Sequence, residues 1–196
     1  IFDKVESNFI LNNQKMIKGN IINSEEVNNA MKGIDYVYNF AGLADIEESK
    51  KDPLGTVEQN ILGNSIILNS CINNNIKRYI FGSTVYVYSN LGSFYRISKQ
   101  ACENYIEHYQ QVYNLNYTIL RFGSLYGPRA QSWNGLTRIV SEMINNKKIE
   151  FGGTGGEKRE YIHVVDAASA MPEMHINTVH QILDQIVELQ YDFCQF

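Results

Sequence analysis

Tyr79-Ile80-Phe81-Gly82-Ser83-Thr84-Val85-Tyr86-Val87-Tyr88 begins as a β-rich apolar run and breaks into small and hydroxylated residues; Tyr95-Arg96-Ile97-Ser98-Lys99 then opens a helix. The helical reading rests on the spacing of Tyr95, Ile97, Ala101, Cys102, Tyr105, Ile106 and Tyr109, which carries the helix to about Tyr113. The same grammar recurs on both sides. Upstream, Tyr36-Val37-Tyr38-Asn39-Phe40 reads as a strand ending in Ala41-Gly42, and Val57 to about Asn74 reads as a helix through Ile61, Ile66, Ile67 and Cys71. Downstream, Tyr117-Thr118-Ile119-Leu120-Arg121-Phe122 reads as a further strand ending at Gly123-Ser124. Short strands alternating with longer helices build βαβ units on a parallel sheet, so the fold class is α/β. Each strand stops in small or polar residues at its carboxyl end, the edge on which open α/β sheets hold their ligands.

Beyond Gly127-Pro128 the pattern changes to a helix from about Leu136 to Ile144, a short strand near Ile149, a glycine-rich turn and a strand at Tyr161-Ile162-His163-Val164. Ile176, Val179, Leu183, Ile186 and Val187 then space as an amphipathic terminal helix. The expected division is residues 1–125 as the sheet domain and 126–196 as part of a smaller domain with a C-terminal helix. Asn73-Asn74-Asn75 fits a polar turn.

With 196 residues and 44% apolar content the chain can bury a substantial core. Its 17 basic and 21 acidic residues include no long basic block, which excludes tracking along nucleic acid phosphates. Cys71, Cys102 and Cys194 are odd in number and widely spaced, which suits reduced thiols in a cytoplasm better than a disulfide framework or a metal site. No apolar stretch approaches the ~20 residues that span a bilayer. Ile1-Phe2-Asp3-Lys4 shows neither a basic leader nor a small-residue cleavage site, so a cytoplasmic protein without a membrane partner is expected. Ile1 already reads as the end of a strand, and the expectation is that the chain begins inside a domain.

Tyr95 and Lys99 carry the strongest local chemistry, because residues four apart share a helix face and an ammonium there stabilises a phenolate. A free phenol titrates near pH 10, so it serves as a base at neutral pH only beside positive charge. The plainer reading of the pair is an exposed lysine beside a half-buried tyrosine. Thr84 tips the balance, since it ends a strand where its hydroxyl would face a ligand at the sheet edge.

The chain resembles the extended short-chain dehydrogenase/reductases, specifically the NAD-dependent epimerase/dehydratase group. The resemblance runs in order through Val37 to Leu43, Asn60-Ile61-Leu62-Gly63-Asn64, Phe81 to Tyr88, Tyr95 to Lys99, Leu120 to Pro128, and Arg159-Glu160-Tyr161-Ile162-His163-Val164-Val165-Asp166. It implies that Tyr95 is the base, that Thr84 helps hold the reacting hydroxyl, and that Lys99 binds the nicotinamide ribose and lowers the phenol pKa. Asp3 would accept from the adenosine ribose, favouring NAD over its phosphorylated form. Asn20 and Ile21 would contact adenine, and Phe40, Ala41, Gly42 and Asn60 would line the cofactor. Ser83, Thr84 and Ser124 would meet the substrate. Arg159 would grip the diphosphate of a nucleotide sugar, or else form a surface ion pair with Glu157 or Glu160.

Several departures from the family pattern shape what is expected. The glycine-rich fingerprint that seats a dinucleotide pyrophosphate should precede Asp3 and is not in this chain, so the fold expected is a Rossmann-type parallel sheet lacking its first βα unit, with little cofactor affinity of its own. Gly152-Gly153-Thr154-Gly155-Gly156 does not replace it, because it leads to another strand rather than a helix. Ser124 stands where the family commonly has Asn, the connection from Thr84 to Tyr95 is short, and no Asp-Glu pair follows Thr84. The last point argues against dehydration. The expected activity is epimerisation of a nucleotide sugar, inactive in this chain alone; a reductase using the same residues and a non-catalytic dinucleotide-binding or assembly module are the alternatives. Family members commonly pair through the helices beginning near Asn60 and Tyr95, which implies a homodimer.

Overall fold

A computed structural model describes residues 1–131, 134–149, 152–154, 156 and 158–171. The chain divides into two compact units, Ile1–Arg121 and Phe122–Phe196. The expected terminal helix beyond Pro172 lies outside the described residues.

The first unit holds two parallel sheets. In one, β1 (Phe2–Asp3) pairs with β2 (Ile17–Lys18). In the other the order is β3-β4-β5, built from Tyr36–Asn39, Arg78–Thr84 and Tyr117–Phe122. The strand end read at the start of the chain is β1, but its partner β2 was not legible in the sequence, because a two-residue strand carries no periodicity. Helix α1 (Ser24–Ala30) starts where the Asn23 side chain accepts from the backbone of Glu25 and Glu26, while the Glu26 carboxylate reaches back to the Asn20 N–H at 2.8 Å. The Asn23 cap satisfies amide groups that a helix end leaves open, and the Glu26 bond ties the preceding turn to the helix.

Between β3 and β4 the chain runs through α2 (Ile46–Lys51), α3 (Pro53–Thr56), a π-helical turn at Val57–Leu62 and α4 (Gly63–Asn73). Asp52 caps α3 with Pro53 in the first helical position, where its missing N–H costs nothing. Asn74 caps α4 and Asn75 takes a positive φ of 52°, which makes this cluster the polar turn expected of it. Between β4 and β5 a 3₁₀ turn at Val85–Tyr88 leads into α5 (Ser93–Tyr113). Helix α5 ends when Asn114 enters the left-handed region and donates to Gln110 O.

The core lies between the helices and β4, all of whose residues from Tyr79 to Thr84 are buried. Tyr79 and Phe81 stack with ring centroids 6.3 Å apart and join Leu68, Cys71, Cys102 and Ile106 in one apolar cluster. Each buried ring or aliphatic side chain contributes roughly 1.5–3 kcal/mol. Helix α5 buries Ser98, Lys99, Cys102, Glu103 and Ile106, a single stripe at helical spacing. Polar and apolar side chains thus enter the interior from the same helix face.

In the second unit β6 (Ser124–Tyr126) pairs in parallel with β7 (Tyr161–His163), and the helices are α6 (Gly135–Asn146) and α7 (Val164–Ala170). Val164 therefore opens a helix instead of closing the strand, with His163 as its cap, and Ile149 belongs to no strand. No helix among the described residues is long and apolar enough to cross a membrane.

Candidate active site

The end of β4 and the first turns of α5 meet in successive contacts. Thr84 is 5% exposed and accepts from the Tyr86 N–H at 3.3 Å, and its side chain acts on the Tyr95 phenol, favouring the ionised form. Lys99 is 6% exposed; its Nζ donates to Gly82 O at 2.7 Å and stands 4.4 Å from the Phe81 ring centroid and 5.9 Å from that of Tyr95. The hydroxyl, phenol and ammonium singled out in the sequence are therefore brought to one place.

Burial sets their proton affinities. Desolvation, and secondly the neighbouring Tyr86, pushes the Tyr95 phenol up to about 12, while Thr84 pulls the other way. Burial also brings the Lys99 ammonium down to about 8, against a smaller upward pull from Cys102 and Glu103. In this arrangement the phenol is a proton donor at neutral pH, and the lysine is a cation close to its titration point.

Asn60 is a strut next to this cluster. Its Oδ1 accepts from the Leu43 N–H at 2.7 Å, and its Nδ2 donates to Leu43 O at 3.0 Å and to Ser98 Oγ at 2.8 Å. The Ser98 hydroxyl in turn donates to Tyr95 O at 2.8 Å. One side chain thus ties the loop after β3 to the first turn of α5. The π-helical turn presents it: the Gly63 N–H donates to Glu58 O five residues back, widening the helix at Asn60. Gly42 follows at φ 143°, and a Cβ there would stand 2.7 Å from Asn60 Oδ1. Phe40, Ala41 and Gly42 are exposed, leaving a bare backbone at the end of β3.

The remaining candidates have surroundings of their own. Asp3 is exposed at the end of β1 and accepts from the Val5 N–H at 3.0 Å; Asn20 accepts from Ile22 N at 3.3 Å, and Ile21 is buried in the core. Ser83 is buried and its hydroxyl donates to Glu103. In the second unit Ser124 is half-buried, with its N–H donating to Glu160 O at 2.7 Å, and Arg159 is exposed.

Glu103, Arg121, Tyr86 and Tyr88 were missed in the sequence. The available signal was register: Glu103 falls one turn after Lys99 on the stripe that Cys102 and Ile106 mark as buried. A carboxylate at such a position requires partners. Among the described residues no cluster of His, Cys, Asp and Glu could hold a metal ion.

Residues 3–182 match the sequence profile of the NAD dependent epimerase/dehydratase family. A dTDP-D-glucose 4,6-dehydratase of Dictyostelium discoideum is 30% identical over 184 residues, covering 81% of this chain and 42% of the relative. A solved UDP-N-acetylglucosamine 4-epimerase from Methanobrevibacter ruminantium, in complex with UDP-N-acetylmuramic acid, is 28% identical with a TM-score of 0.75, over 81% of this chain and 56% of that one. The UDP-glucose 4-epimerase of Thermotoga maritima, solved with UDP-glucose, shares the fold at 24% identity and a TM-score of 0.79, over 86% of this chain and 62% of that one. The chain spans about half the length of the proteins it matches. Its α/β architecture with parallel sheets is thus the Rossmann-type fold of these enzymes, and the chain belongs to the NAD-dependent epimerase/dehydratase family.

Proposed function

We propose that this chain forms the reacting part of an NAD-dependent nucleotide-sugar epimerase. The observation that carries the reading is the meeting of Thr84, Tyr95 and Lys99 at the carboxyl end of β4. The residues present fit the nicotinamide end of the cofactor: a buried ammonium lies beside the phenol, and the exposed Ala41-Gly42 backbone allows close approach. Lys99 would hold the ribose, Phe40 to Gly42 with Asn60 behind them would line the slot, and Asp3, Asn20 and Ile21 would face the adenosine end. When bound there, NAD would supply the acceptor for the hydride of the sugar carbon and, in reduced form, its donor.

The protein's own part is proton transfer and orientation. As the sugar hydroxyl is oxidised, its proton passes to Tyr95 Oη, which must first be deprotonated under the positive charge around it; as the ketone is reduced, the phenol returns the proton to the carbonyl oxygen. The Thr84 hydroxyl fixes the phenol's direction. Ser124 and Arg159 of the second unit would serve the substrate, since an exposed guanidinium suits a diphosphate, whereas the Ser83 hydroxyl is taken up by Glu103. Val85 and Tyr86 follow Thr84 and offer no carboxylate pair for eliminating water, which favours epimerisation over the dehydration named for the Dictyostelium relative. Exposed Leu54, Val57, Leu62, Phe94, Ile97 and Tyr105 around α3 and α5 suit a homodimer, and the buried free thiols of Cys71 and Cys102 suit the cytoplasm.

The whole protein mixed with NAD and UDP-glucose should interconvert the C4 epimers, and Tyr95→Phe should reduce turnover about 10²–10⁴-fold. A 4-keto-6-deoxy product would replace this reading with a dehydratase. Absence of turnover together with an unaltered Tyr95→Phe protein would leave a binding module.

A further inference from the structure

Among the described residues Lys99 and Glu103 are the two buried charged side chains, at 6% and 7% exposed, one turn apart on α5. They do not form an ion pair with each other. Each is received by a different residue at the end of β4: Lys99 Nζ by Gly82 O at 2.7 Å, and the Glu103 carboxylate by the Ser83 hydroxyl. Thr84 then meets Tyr95. Three consecutive strand residues thus engage three residues of α5 that lie one helical turn apart, a laddered joint of which the middle strand residue's rung is acidic.

That rung is anchored from a third element. Arg121 on β5 donates from Nε to Glu103 Oε1 at 3.1 Å and from Nη2 to Oε2 at 2.8 Å. Tyr88, from the 3₁₀ turn after Thr84, lays its ring 4.9 Å from the Arg121 guanidinium carbon and accepts from Nη1 through its hydroxyl. A forked guanidinium on a buried carboxylate is rigid and satisfies both oxygens. We propose that Glu103 is a positioning residue: gripped by Ser83 and Arg121, it locks the Tyr95–Lys99 face of α5 against the ends of β4 and β5 and supplies the counter-charge of the Lys99 ammonium.

The surroundings of Lys99 leave that electrostatic task to Glu103. From α5 it is faced by Tyr95, Cys102 and Glu103, and from β4 by the Phe81 ring and the Gly82 carbonyl; the Arg121 cation of β5 is bound to Glu103. Glu103 is the one carboxylate in that set. Its role rests on Tyr95 and Lys99 being the proton-transfer pair, but its test needs neither cofactor nor turnover.

The chain labelled at lysine Cε with carbon-13 gives the Lys99 titration midpoint directly by NMR, starting from about 8. Glu103→Gln keeps the shape and removes the charge, and should lower the midpoint by about 0.5–1 unit. Arg121→Gln leaves the carboxylate uncompensated and should raise it by a similar amount. The double variant E103Q/R121Q removes the carboxylate and the guanidinium together, so neither is left without the other, and guards against misfolding of the single variants; with the counter-charge of Lys99 gone it should also titrate below wild type. A merely structural cluster gives a different signature, because loosening admits water and drives every variant upward toward an ordinary lysine. An upward shift in E103Q and in the double variant, or no shift in any, overturns the proposal. The expected shifts together with an unimpaired Tyr95→Phe enzyme would instead overturn the assignment of Tyr95.

Discussion

Helices α5 and α6 are both amphipathic, but they treat polar residues in opposite ways. Helix α5 takes Ser98, Lys99 and Glu103 into the interior, each with a defined partner, whereas α6 has no buried residue and keeps its Arg138–Glu142 pair on the surface at 2.9 Å. A buried charge is tolerable only if something answers it, so each polar position of α5 specifies a neighbour on another element. A solvated charge specifies nothing. The lesson is that the chemistry of α5 is written into its packing, while that of α6 is free of such constraint.

Removing one carboxylate from each helix gives the largest contrast. Glu103→Ala strands the Arg121 guanidinium and should cost about 2–3 kcal/mol in urea unfolding, the low end for a broken buried pair because the Arg121 side chain keeps 30% exposure. Glu142→Ala, at an i,i+4 surface pair, should change stability by less than ~0.5 kcal/mol. Equal effects would erase the distinction.

Glycines sharpen it next. Gly42→Ala must place a Cβ 2.7 Å from Asn60 Oδ1 at φ 143°, and should destabilise by about 1–3 kcal/mol with loss of amide protection at Leu43. Gly135→Ala, at the start of α6 with nothing within 4 Å, should slow hydrogen exchange in that helix by the equivalent of ~0.5 kcal/mol.

The smallest effect concerns pH. Lys99 titrates near 8 in the fold against an ordinary 10.5, so between those values the unfolded chain binds more protons and stability from this group rises with pH. Below about pH 8 both states are protonated and the penalty for burying the ammonium is complete. Cys71 and Cys102, pushed up to about 12 by burial, act in the opposite sense above pH 9. The stability of Lys99→Met relative to wild type isolates the lysine: its advantage should shrink by about 1 kcal/mol from pH 8 to pH 9 in denaturant titrations. A constant difference would mean that Lys99 is not held near its titration point.

The same contrast explains what the sequence revealed. Strand β4, α5 and β5 were readable because apolar spacing extends over whole elements, and Thr84, Tyr95 and Lys99 followed from their place at the strand-to-helix junction. Asn60 was legible through its resemblance to a family motif, but its task was not, because its partners Leu43 and Ser98 are distant in sequence. Ser83 was read toward the substrate, yet its hydroxyl proton goes to Glu103, a contact that only the helix register could have suggested. Lysine proximity was expected to depress the Tyr95 pKa; desolvation, which composition does not disclose, pushes it up instead. Beyond Arg121, α6 and β7 were readable from the sequence, whereas the three-residue β6 and the short α7 left no periodic signal.

The π-helical turn at Val57–Leu62 lets two neighbouring segments be aimed separately. Asn60 is oriented toward Leu43 and Ser98, while α4 turns Ile67, Leu68 and Cys71 into the core. Deleting one residue to restore a regular helix would swing one segment about the axis by ~100° relative to the other. Either the amide would leave its partners or the apolar face of α4 would roll toward water. Length variation should therefore be purged from these six positions even where side-chain identity drifts.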